Sequence, residues 1–218
     1  MTHQEPRDVA SWRQEYVDQG LVESDLGADP IGAFTAWLEA AEVAGLHQPN
    51  AVVVSTAAGG APSARMVLLK TVDDRGFVFY TNYRSRKGTE ITVNPDCALL
   101  FPWHPLERQV RVEGAAVRVS ESESDTYFAS RPRATQLGAW ASPQSEAVPD
   151  REYLQQRYQH ESDRFAGSDE VPRPPHWGGV LVVPHMIEFW QGRPGRMHDR
   201  IRYQRVDYQT WAVDRLAP

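Results

Sequence analysis

The feature that most constrains the fold is a series of short apolar segments separated by turn signals. The first three segments are residues 51–57, 63–70 and 77–82. They are rich in β-branched and aromatic side chains, which favour strands. Gly59 and Gly60 follow the first segment, and an Asp-Asp-Arg-Gly turn signal ending at Gly76 follows the second. Because tight turns join antiparallel neighbours, the pattern predicts an antiparallel meander.

The rest of the chain alternates between helical and strand-like patterns. Asp29 and Pro30 form a helix-start signal, and apolar residues continue at helical spacing to Gly45, which ends the predicted helix. Further helices are predicted over residues 85–93, 120–130, 135–141 and 150–165. Further strands are predicted over residues 97–103, 108–119, 179–183, 187–191, 201–205 and 210–213. A proline-rich loop is predicted over residues 171–177. This order predicts a mainly β, α+β fold: an antiparallel barrel decorated by helices.

The length of 218 residues and the hydrophobic content of 41% suit one substantial core. Residues 1–28 are polar and rich in charge, and they predict a mobile N-terminal arm with a helical turn near residues 12–17, ahead of a single domain over residues 29–218. The lone Cys97 fits a reducing compartment, and no apolar run reaches the length of a membrane span. The sequence therefore predicts a soluble, cytoplasmic protein.

The charge pattern favours a small anionic ligand. Lysine and arginine number 23 against 29 aspartate and glutamate, a formal net charge of −6 that disfavours binding to nucleic acid or to an anionic membrane. The cations are nevertheless clustered, in residues 65–70, 84–87, 131–133 and 193–205. Such local groups suit a phosphorylated small molecule. We expect no metal site, and Gly59-Gly60 lacks the spacing of a dinucleotide-binding loop.

The C-terminal segment carries the most specific pattern. Arg196, His198 and Arg200 stand at alternate positions after a glycine-containing and proline-containing turn. If this segment is extended, the three side chains share one face, which suits an anionic aromatic ligand. The alternative is that they are surface charges on an edge strand.

A series of ordered blocks runs through the chain. The blocks are RMVLLK (65–70), YTN (80–82), SRK (85–87), FPWH (101–104), LERQV (106–110), RPR (131–133), QLGAW (136–140), QS (144–145), WGG (177–179) and RMHDR (196–200). Together they resemble the pyridoxamine (pyridoxine) 5′-phosphate oxidase family over roughly residues 29–218. The resemblance implies a homodimeric FMN-binding split β-barrel with two flavin sites formed between subunits.

The resemblance also implies an FMN site. The matching positions are Arg65, Met66, Val67, Leu68, Leu69, Lys70, Tyr80, Thr81, Arg86, Lys87, Gln109, Gln144, Ser145, Trp190 and Arg200. The residue types agree with this role, because guanidinium, ammonium and hydroxyl groups suit a phosphate dianion, while an amide and an indole suit the ring system. The alternative for Arg86 and Lys87 is a solvated helix start, and for Trp190 it is ordinary packing.

A second anion site follows from the same resemblance. Lys70, Tyr127, Arg131 and Thr135 match the family's ligands for the substrate phosphate. The catalytic pair Arg196 and His198, with Met197 between them, matches the segment that lies against the substrate ring, and Arg13 and Tyr16 match residues that fold over the substrate in some relatives. The chain departs from the family at Thr135, where serine is common, and at Gln48, where an acidic residue is expected.

The sequence thus predicts an FMN-dependent oxidase that converts pyridoxamine 5′-phosphate or pyridoxine 5′-phosphate to pyridoxal 5′-phosphate, with O₂ as acceptor and H₂O₂ as product. In this interpretation Arg196 orients the substrate and stabilises charge, because arginine keeps its proton at ordinary pH, and His198 positions the substrate or handles a proton. Three alternatives remain: a different split-barrel oxidoreductase, a non-catalytic carrier of flavin or pyridoxal phosphate, and a nucleic-acid-binding protein, which the net charge disfavours.

Overall fold

A computed structural model of the chain describes residues 9, 12, 15–17, 19–208 and 210–218. In this part of the chain the helices are α1 (Glu23–Leu26), α2 (Pro30–Val43), α3 (Arg86–Val93), α4 (Glu121–Ala129), α5 (Arg133–Ala141) and α6 (Arg151–Arg164). The strands are β1 (Ala51–Ala58), β2 (Ala61–Asp73), β3 (Gly76–Asn82), β4 (Asp96–Trp103), β5 (Arg108–Arg118), β6 (Trp177–Gln191), β7 (Asp199–Arg205) and β8 (Trp211–Arg215).

The strands form one antiparallel sheet that closes into a barrel. Their order is β3-β2-β1-β4-β5-β6, and β3 pairs again with β6 to complete a six-stranded barrel. The strands β7 and β8 extend the sheet beyond β6. Closure leaves no unpaired edge within the barrel itself. The predicted antiparallel barrel decorated by helices is confirmed.

The main core is formed by buried residues of the strands and by the buried face of helix α2. The side chain of Asp29 accepts a hydrogen bond from the N–H of Ile31 at 3.0 Å and so caps α2. From this helix Phe34, which is fully buried, meets Phe77 and Phe101 with ring centroids 4.9 and 4.7 Å apart. These contacts make α2 part of the core. Replacing such a buried ring by alanine is expected to cost roughly 3–5 kcal/mol of folding free energy.

One strand differs from the sequence prediction. Residues 179–183 and 187–191 are predicted as two strands, whereas the structure has one continuous strand, β6. Pro184 suggests a break because it has no N–H to donate to the ladder. The structure accommodates it in a bulge, where Gly114 pairs with Pro184 and the next partner, Glu113, pairs with Met186. The prediction of a loop over 171–177 is likewise wrong at its last residue, which begins β6.

A second, smaller core lies under helices α4 and α5. Phe128, Leu137, Phe165 and Trp177 are buried together there. Because Trp177 is the first residue of β6 and pairs with Asn82 at the end of β3, this core fixes the helices against one end of the barrel. The cleft described below lies at that junction.

The N-terminal segment contributes to the main core. Within residues 1–28, predicted as an arm, Leu21 and Leu26 are buried, and Leu26 lies in α1. The described residues 15–17 are not helical, and part of the helical turn predicted near residues 12–17 lies outside the described residues. The division into an arm and a single domain from residue 29 remains a prediction.

Candidate active site

A cleft of about 490 Å³ lies between β2, β3, α3 and the α4–α5 region. We call it the Lys87 cleft. Its lining residues are Met66, Val67, Leu68, Lys70, Tyr80, Thr81, Lys87, Tyr127, Arg131, Pro132, Thr135, Gln144 and Trp177. The cleft thus brings together eight residues of the predicted FMN set and the complete predicted set for the substrate phosphate, with Lys70 common to both.

Lys87 is the most informative residue of this cleft. It lies in the first turn of α3, it is buried, and its Nζ is 3.1 Å from Oγ1 of Thr81 and 3.0 Å from Oε1 of Gln144. Among the described residues, no carboxylate forms an ion pair with it. Burial, followed by the nearby charge of Arg65, lowers the pKa of Lys87. A buried ammonium group that contacts only neutral oxygens is a ready site for an anion.

Arg131 forms the opposite side of the cleft. Its guanidinium carbon lies 4.5 Å from the ring centroid of Trp177, and its Nη1 is buried with no hydrogen-bond partner in the described structure. Burial lowers the pKa of Arg131. Tyr80, Tyr127 and Trp177 form a stack beside it, with Tyr80 and Tyr127 ring centroids 3.8 Å apart. Trp177 thus belongs both to the second core and to the lining of the cleft.

Arg65 and Arg86 are tied to one carboxylate next to the cleft. Nη2 of Arg65 lies 2.9 Å and Nε of Arg86 lies 2.8 Å from the two oxygens of Glu90. The hydroxyl of Thr56 also donates to Glu90 at 2.6 Å. The hydrogen bond from Thr56 lowers the pKa of Glu90 to about 2, with Arg86 and Arg65 adding to the effect against the opposing effect of burial. The side chain of Arg86 is mostly exposed, so this predicted ligand does not line the cleft.

The remaining predicted residues near the cleft differ in orientation. Leu69 is buried in the barrel core, its backbone N–H and C=O are both hydrogen-bonded to Asn50, and it does not line the cleft. Ser145 follows Gln144 in an exposed turn and has a positive φ of 73°, which is uncommon for a residue other than glycine. Gln48, the departure from the family pattern, is also exposed with a positive φ of 51° and lines neither this cleft nor the site described next.

A second site lies at the other end of β6. We call it the Trp190 site, and its lining residues, around a cavity of about 430 Å³, are Trp12, Glu15, Tyr16, Arg193, Gly195, Arg196 and His198. Trp190 itself packs under it: the His198 ring lies 4.6 Å from the Trp190 ring, and Tyr16 meets both rings edge-on at 5.3 and 5.9 Å. The structure therefore brings the predicted Tyr16, Arg196 and His198 together.

The other predicted residues at this end of β6 lie around the cavity rather than all lining it. Gln109 and Arg200 flank Trp190 on the neighbouring strands β5 and β7. Arg196 has a positive φ of 62°, and Met197 is 68% exposed without lining the cavity. Arg13 lies outside the described residues.

The Trp190 site is held by carboxylates that the sequence analysis missed. Asp199 accepts hydrogen bonds from Arg193, from Arg215 and from the N–H of Leu21, at 3.1, 2.6 and 3.0 Å. Glu188, which is 3% exposed, accepts from Arg111 and Arg200. A strand pattern alone could not identify these partners, because they come from segments far apart in the sequence.

The two sites are separate within one chain. No residue that the structure describes lines both cavities. Tyr80 of the Lys87 cleft pairs with Gly179, and from there to Trp190 the extended chain of β6 measures about 36 Å. One chain therefore does not bring the two predicted halves of the flavin site together.

Models of protein families match the chain in two parts. Residues 38–164 match the model described as pyridoxamine 5′-phosphate oxidase, and residues 177–218 match the model described as the pyridoxine 5′-phosphate oxidase C-terminal dimerisation region. The chain belongs to the pyridoxamine 5′-phosphate oxidase family. The resemblance seen in the sequence is thus confirmed, and the C-terminal match indicates a dimer.

Curated relatives of this family are similar over nearly their whole length. A pyridoxine/pyridoxamine 5′-phosphate oxidase of Rubrobacter xylanophilus is 57% identical over 213 residues, covering 97% of each chain. One of Salinibacter ruber is 53% identical over 212 residues, covering 96% of this chain and 99% of the relative.

Solved structures extend the family comparison to the fold. PhzG from Burkholderia lata, solved in complex with tetrahydrophenazine-1-carboxylic acid, is 33% identical with a TM-score of 0.84, covering 92% of this chain and 98% of that one. A pyridoxamine 5′-phosphate oxidase-related, FMN-binding protein from Nostoc punctiforme shares the fold, with a TM-score of 0.68 at 17% identity over 87% of this chain and 98% of that one.

The described residues offer neither a membrane-spanning helix nor a cluster of metal ligands. They contain no helix that is long and apolar enough to cross a bilayer. They also contain no group of three or more histidine, cysteine, aspartate or glutamate side chains arranged to hold a metal ion.

Proposed function

We propose that this protein is an FMN-dependent oxidase that converts pyridoxamine 5′-phosphate or pyridoxine 5′-phosphate to pyridoxal 5′-phosphate. O₂ is the electron acceptor and H₂O₂ the second product; the amine substrate also consumes water and releases ammonia. The observation that carries the proposal is the pair of unbalanced cations in one cleft, Lys87 and Arg131. The names of the curated relatives support the same reaction.

The residues of the Lys87 cleft fit two phosphate groups. Lys87, Thr81 and Gln144 offer a buried ammonium, a hydroxyl and an amide close together, which suits the dianionic phosphate of FMN. Arg131, with its unpartnered Nη1, suits the phosphate of the substrate, together with Lys70 and Thr135. The phenol of Tyr127 adds a further donor on the same side.

Several residues outside the cleft would complete the flavin site. Arg65 and Arg86 lie beside it with guanidinium donors already oriented by Glu90. Gln109, Trp190 and Arg200 stand next to one another across β5, β6 and β7 and offer an amide, a flat apolar wall and a cation to the ring system. Bound FMN would supply the redox chemistry, accepting two electrons from the substrate and passing them to O₂.

The protein's own contribution is orientation and charge neutralisation. Phosphate-binding cations in the Lys87 cleft fix the far ends of both molecules, so the reacting carbon and the flavin are held at close range. Arg196 keeps its proton at ordinary pH and therefore acts by orienting the substrate ring and stabilising charge. Tyr16, against His198 and Trp190, would shield the reacting atoms from water.

The proposal requires a homodimer. The Lys87 cleft and the Trp190 site lie about 36 Å apart along β6 in one chain, so a complete site needs a cleft from one subunit and a Trp190 site from its partner. The match to a C-terminal dimerisation region supports this arrangement. A closed two-fold dimer then contains two equivalent sites.

One preparation separates the proposed oxidase from its alternatives. Purified protein loaded with FMN should bind the flavin and consume O₂ when given pyridoxine 5′-phosphate, and unphosphorylated pyridoxine should be a far poorer substrate. Flavin binding without turnover would support a carrier instead. Turnover restricted to reduced phenazine carboxylic acids, the ligand class of the Burkholderia lata relative, would support a different oxidoreductase.

The variant Arg131→Met tests the phosphate-binding role directly. It removes one charge-assisted contact, so we expect KM for pyridoxine 5′-phosphate to rise by about 30-fold while FMN affinity stays unchanged. Arg133→Met is the matched control, because Arg133 is exposed and donates to the carbonyl of Phe165 away from the cleft. An equal effect of the two substitutions would contradict the assignment.

Cytoplasmic localisation remains part of the proposal.

A further inference from the structure

His198 is half-buried in the Trp190 site and is positioned by two aromatic rings and one main-chain donor. Its ring packs against Trp190 at 4.6 Å and against Tyr16 at 5.3 Å. Arg193, Arg196 and Glu15 are the charged residues that share its cavity, and Asp199 follows it in the chain. The side chain therefore has one well-defined orientation, and the environment of each of its two ring nitrogens is distinct.

One ring nitrogen of His198 receives a main-chain donor. The N–H of Arg193 points to Nδ1 of His198 with a nitrogen–nitrogen distance of 3.1 Å. A backbone N–H can only donate, so Nδ1 must carry a lone pair rather than a proton. The neutral imidazole therefore carries its proton on Nε2. Nε2 makes no hydrogen bond to any described residue.

The position of Arg193 is itself fixed by the fold. Its side chain bonds to Asp199 at 3.1 Å, and Asp199 is anchored in turn by Arg215. The contact from Arg193 to His198 thus belongs to the ion-pair network at the base of β7. Burial, and then the charge of Arg196, lowers the pKa of His198, which agrees with a neutral ring at neutral pH.

We propose that the main-chain N–H of Arg193 selects the Nε2-protonated tautomer of His198, so that His198 is a hydrogen-bond donor to the substrate and not a general base. This inference rests on the proposed function for the identity of the substrate, a phosphorylated and hydroxylated pyridine. The nitrogen able to accept a proton, Nδ1, faces the protein backbone. The nitrogen left for the substrate, Nε2, offers a proton to an acceptor atom of the ring.

Nitrogen NMR of the FMN-loaded protein, labelled with ¹⁵N-histidine and free of substrate, tests the tautomer without any need for activity. The His198 signals are assigned as those missing from the spectrum of His198→Gln. We expect a shift typical of an unprotonated nitrogen at Nδ1 and of a protonated nitrogen at Nε2 at pH 8. The reverse pattern, or a doubly protonated ring at that pH, would overturn the proposal.

Two substitutions of His198 separate a donor from a base. The amide NH₂ of glutamine reaches approximately the position of Nε2, whereas the amide of asparagine reaches only that of Nδ1. We expect His198→Asn to lower kcat/KM for pyridoxine 5′-phosphate about tenfold more than His198→Gln does, the loss of one hydrogen bond. If both variants lose 100-fold or more, as expected for removal of a general base, the proposal is wrong.

The two experiments also distinguish this proposal from the proposed function. If the wild-type protein binds FMN but does not oxidise pyridoxine 5′-phosphate, the proposed function fails and the NMR result still decides the tautomer. If the wild type is active and the tautomer is reversed, only the present inference fails.

Discussion

The Lys87 cleft and the Trp190 site both concentrate cations, but the charges are balanced differently in the two regions. In the cleft, Lys87 contacts neutral oxygens, and Nη1 of Arg131 is buried without a partner among the described residues. At the Trp190 site, Arg193 and Arg200 form ion pairs with Asp199 and Glu188. The first region leaves positive charge available, whereas in the second Arg193 and Arg200 are compensated within the chain and Arg196 alone of these three forms no ion pair with a described residue.

We propose that this difference separates residues that serve a ligand from residues that hold the fold. A buried cation without a partner is unfavourable for folding, so it is retained for a reason other than stability. Cations that are paired with buried carboxylates instead connect distant segments, here β5, β6, β7 and the residues around Leu21. We therefore expect substitutions in the two regions to have opposite consequences for stability and for ligand binding.

The largest expected effect is that of Lys87→Met on flavin binding. Methionine keeps most of the volume of the side chain but removes the charge and its hydrogen bonds to an anion. We expect FMN affinity to fall about 100-fold. The melting temperature of the flavin-free protein should not fall, because an uncompensated buried charge is removed. Flavin titration and thermal unfolding of the flavin-free protein measure the two quantities.

Arg84→Met is the control for this substitution. Arg84 is exposed and carries the same type of charge three positions away, before α3 begins. It should leave both FMN affinity and stability unchanged. A clear drop in the stability of flavin-free Lys87→Met would show that this cation holds the fold and would remove the contrast between the two regions.

The second effect is a loss of stability on substituting Glu188→Gln. Its buried carboxylate receives Nε of Arg200 at 2.8 Å and Nη1 of Arg111 at 3.1 Å. Because both arginines are partly exposed, we expect a loss of about 2 kcal/mol, less than for a fully buried pair. For a chain of this size that lowers the melting temperature by roughly 4–8 °C.

Asp214→Asn is the matched control for Glu188→Gln. Asp214 pairs with Arg202 on the outer strands β7 and β8, and its side chain is 47% exposed. Exposed pairs contribute less than about 1 kcal/mol, so calorimetry should show little change. Equal losses in the two variants would mean that the Glu188 network is no more important to the fold than a surface pair.

The smallest effect concerns the acid stability of the Glu90 network beside the cleft. The pKa of Glu90 is about 2, below its ordinary value of 4.5, because of the hydrogen bond from Thr56 and the contacts with Arg86 and Arg65. A lowered folded-state pKa contributes stability that is fully present above pH 4.5 and is lost as the pH falls towards 2. We expect Glu90→Gln to have a shallower decline of melting temperature across this window than the wild type; an identical decline would contradict the pKa assignment.

Much of the fold could be predicted from the sequence because its signals are local. The Asp29-Pro30 helix start, the alternation along β1 and the turn signals around Gly76 each depend on neighbouring residues, and the structure confirms the elements that they define. The continuity of β6 could not be predicted, because a bulge that accommodates Pro184 is decided by its partner strand β5. Pairing across strands is not encoded in the local pattern.

The site was predicted less completely than the fold. The family blocks identified Lys87 and Arg131, but not the carboxylates that orient other cations, because Glu90, Asp199 and Glu188 act through contacts between distant segments. The sequence also could not show that Arg86 points out of the cleft while Lys87 points in. Both are cations at the start of the same helix, and only the packing of α3 distinguishes them.

The most direct test of the central claim, that each active site combines the Lys87 cleft of one subunit with the Trp190 site of its partner, is the activity of a mixed dimer. One subunit carries Arg131→Met, the other carries Arg196→Ala, and different affinity tags allow the heterodimer to be isolated. Its O₂ consumption is compared with that of each variant homodimer at a pyridoxine 5′-phosphate concentration near the wild-type KM, where the expected rise in KM of Arg131→Met lowers the rate. The account predicts one intact site of two and therefore about half of the wild-type activity. Activity no higher than that of the homodimers would contradict it.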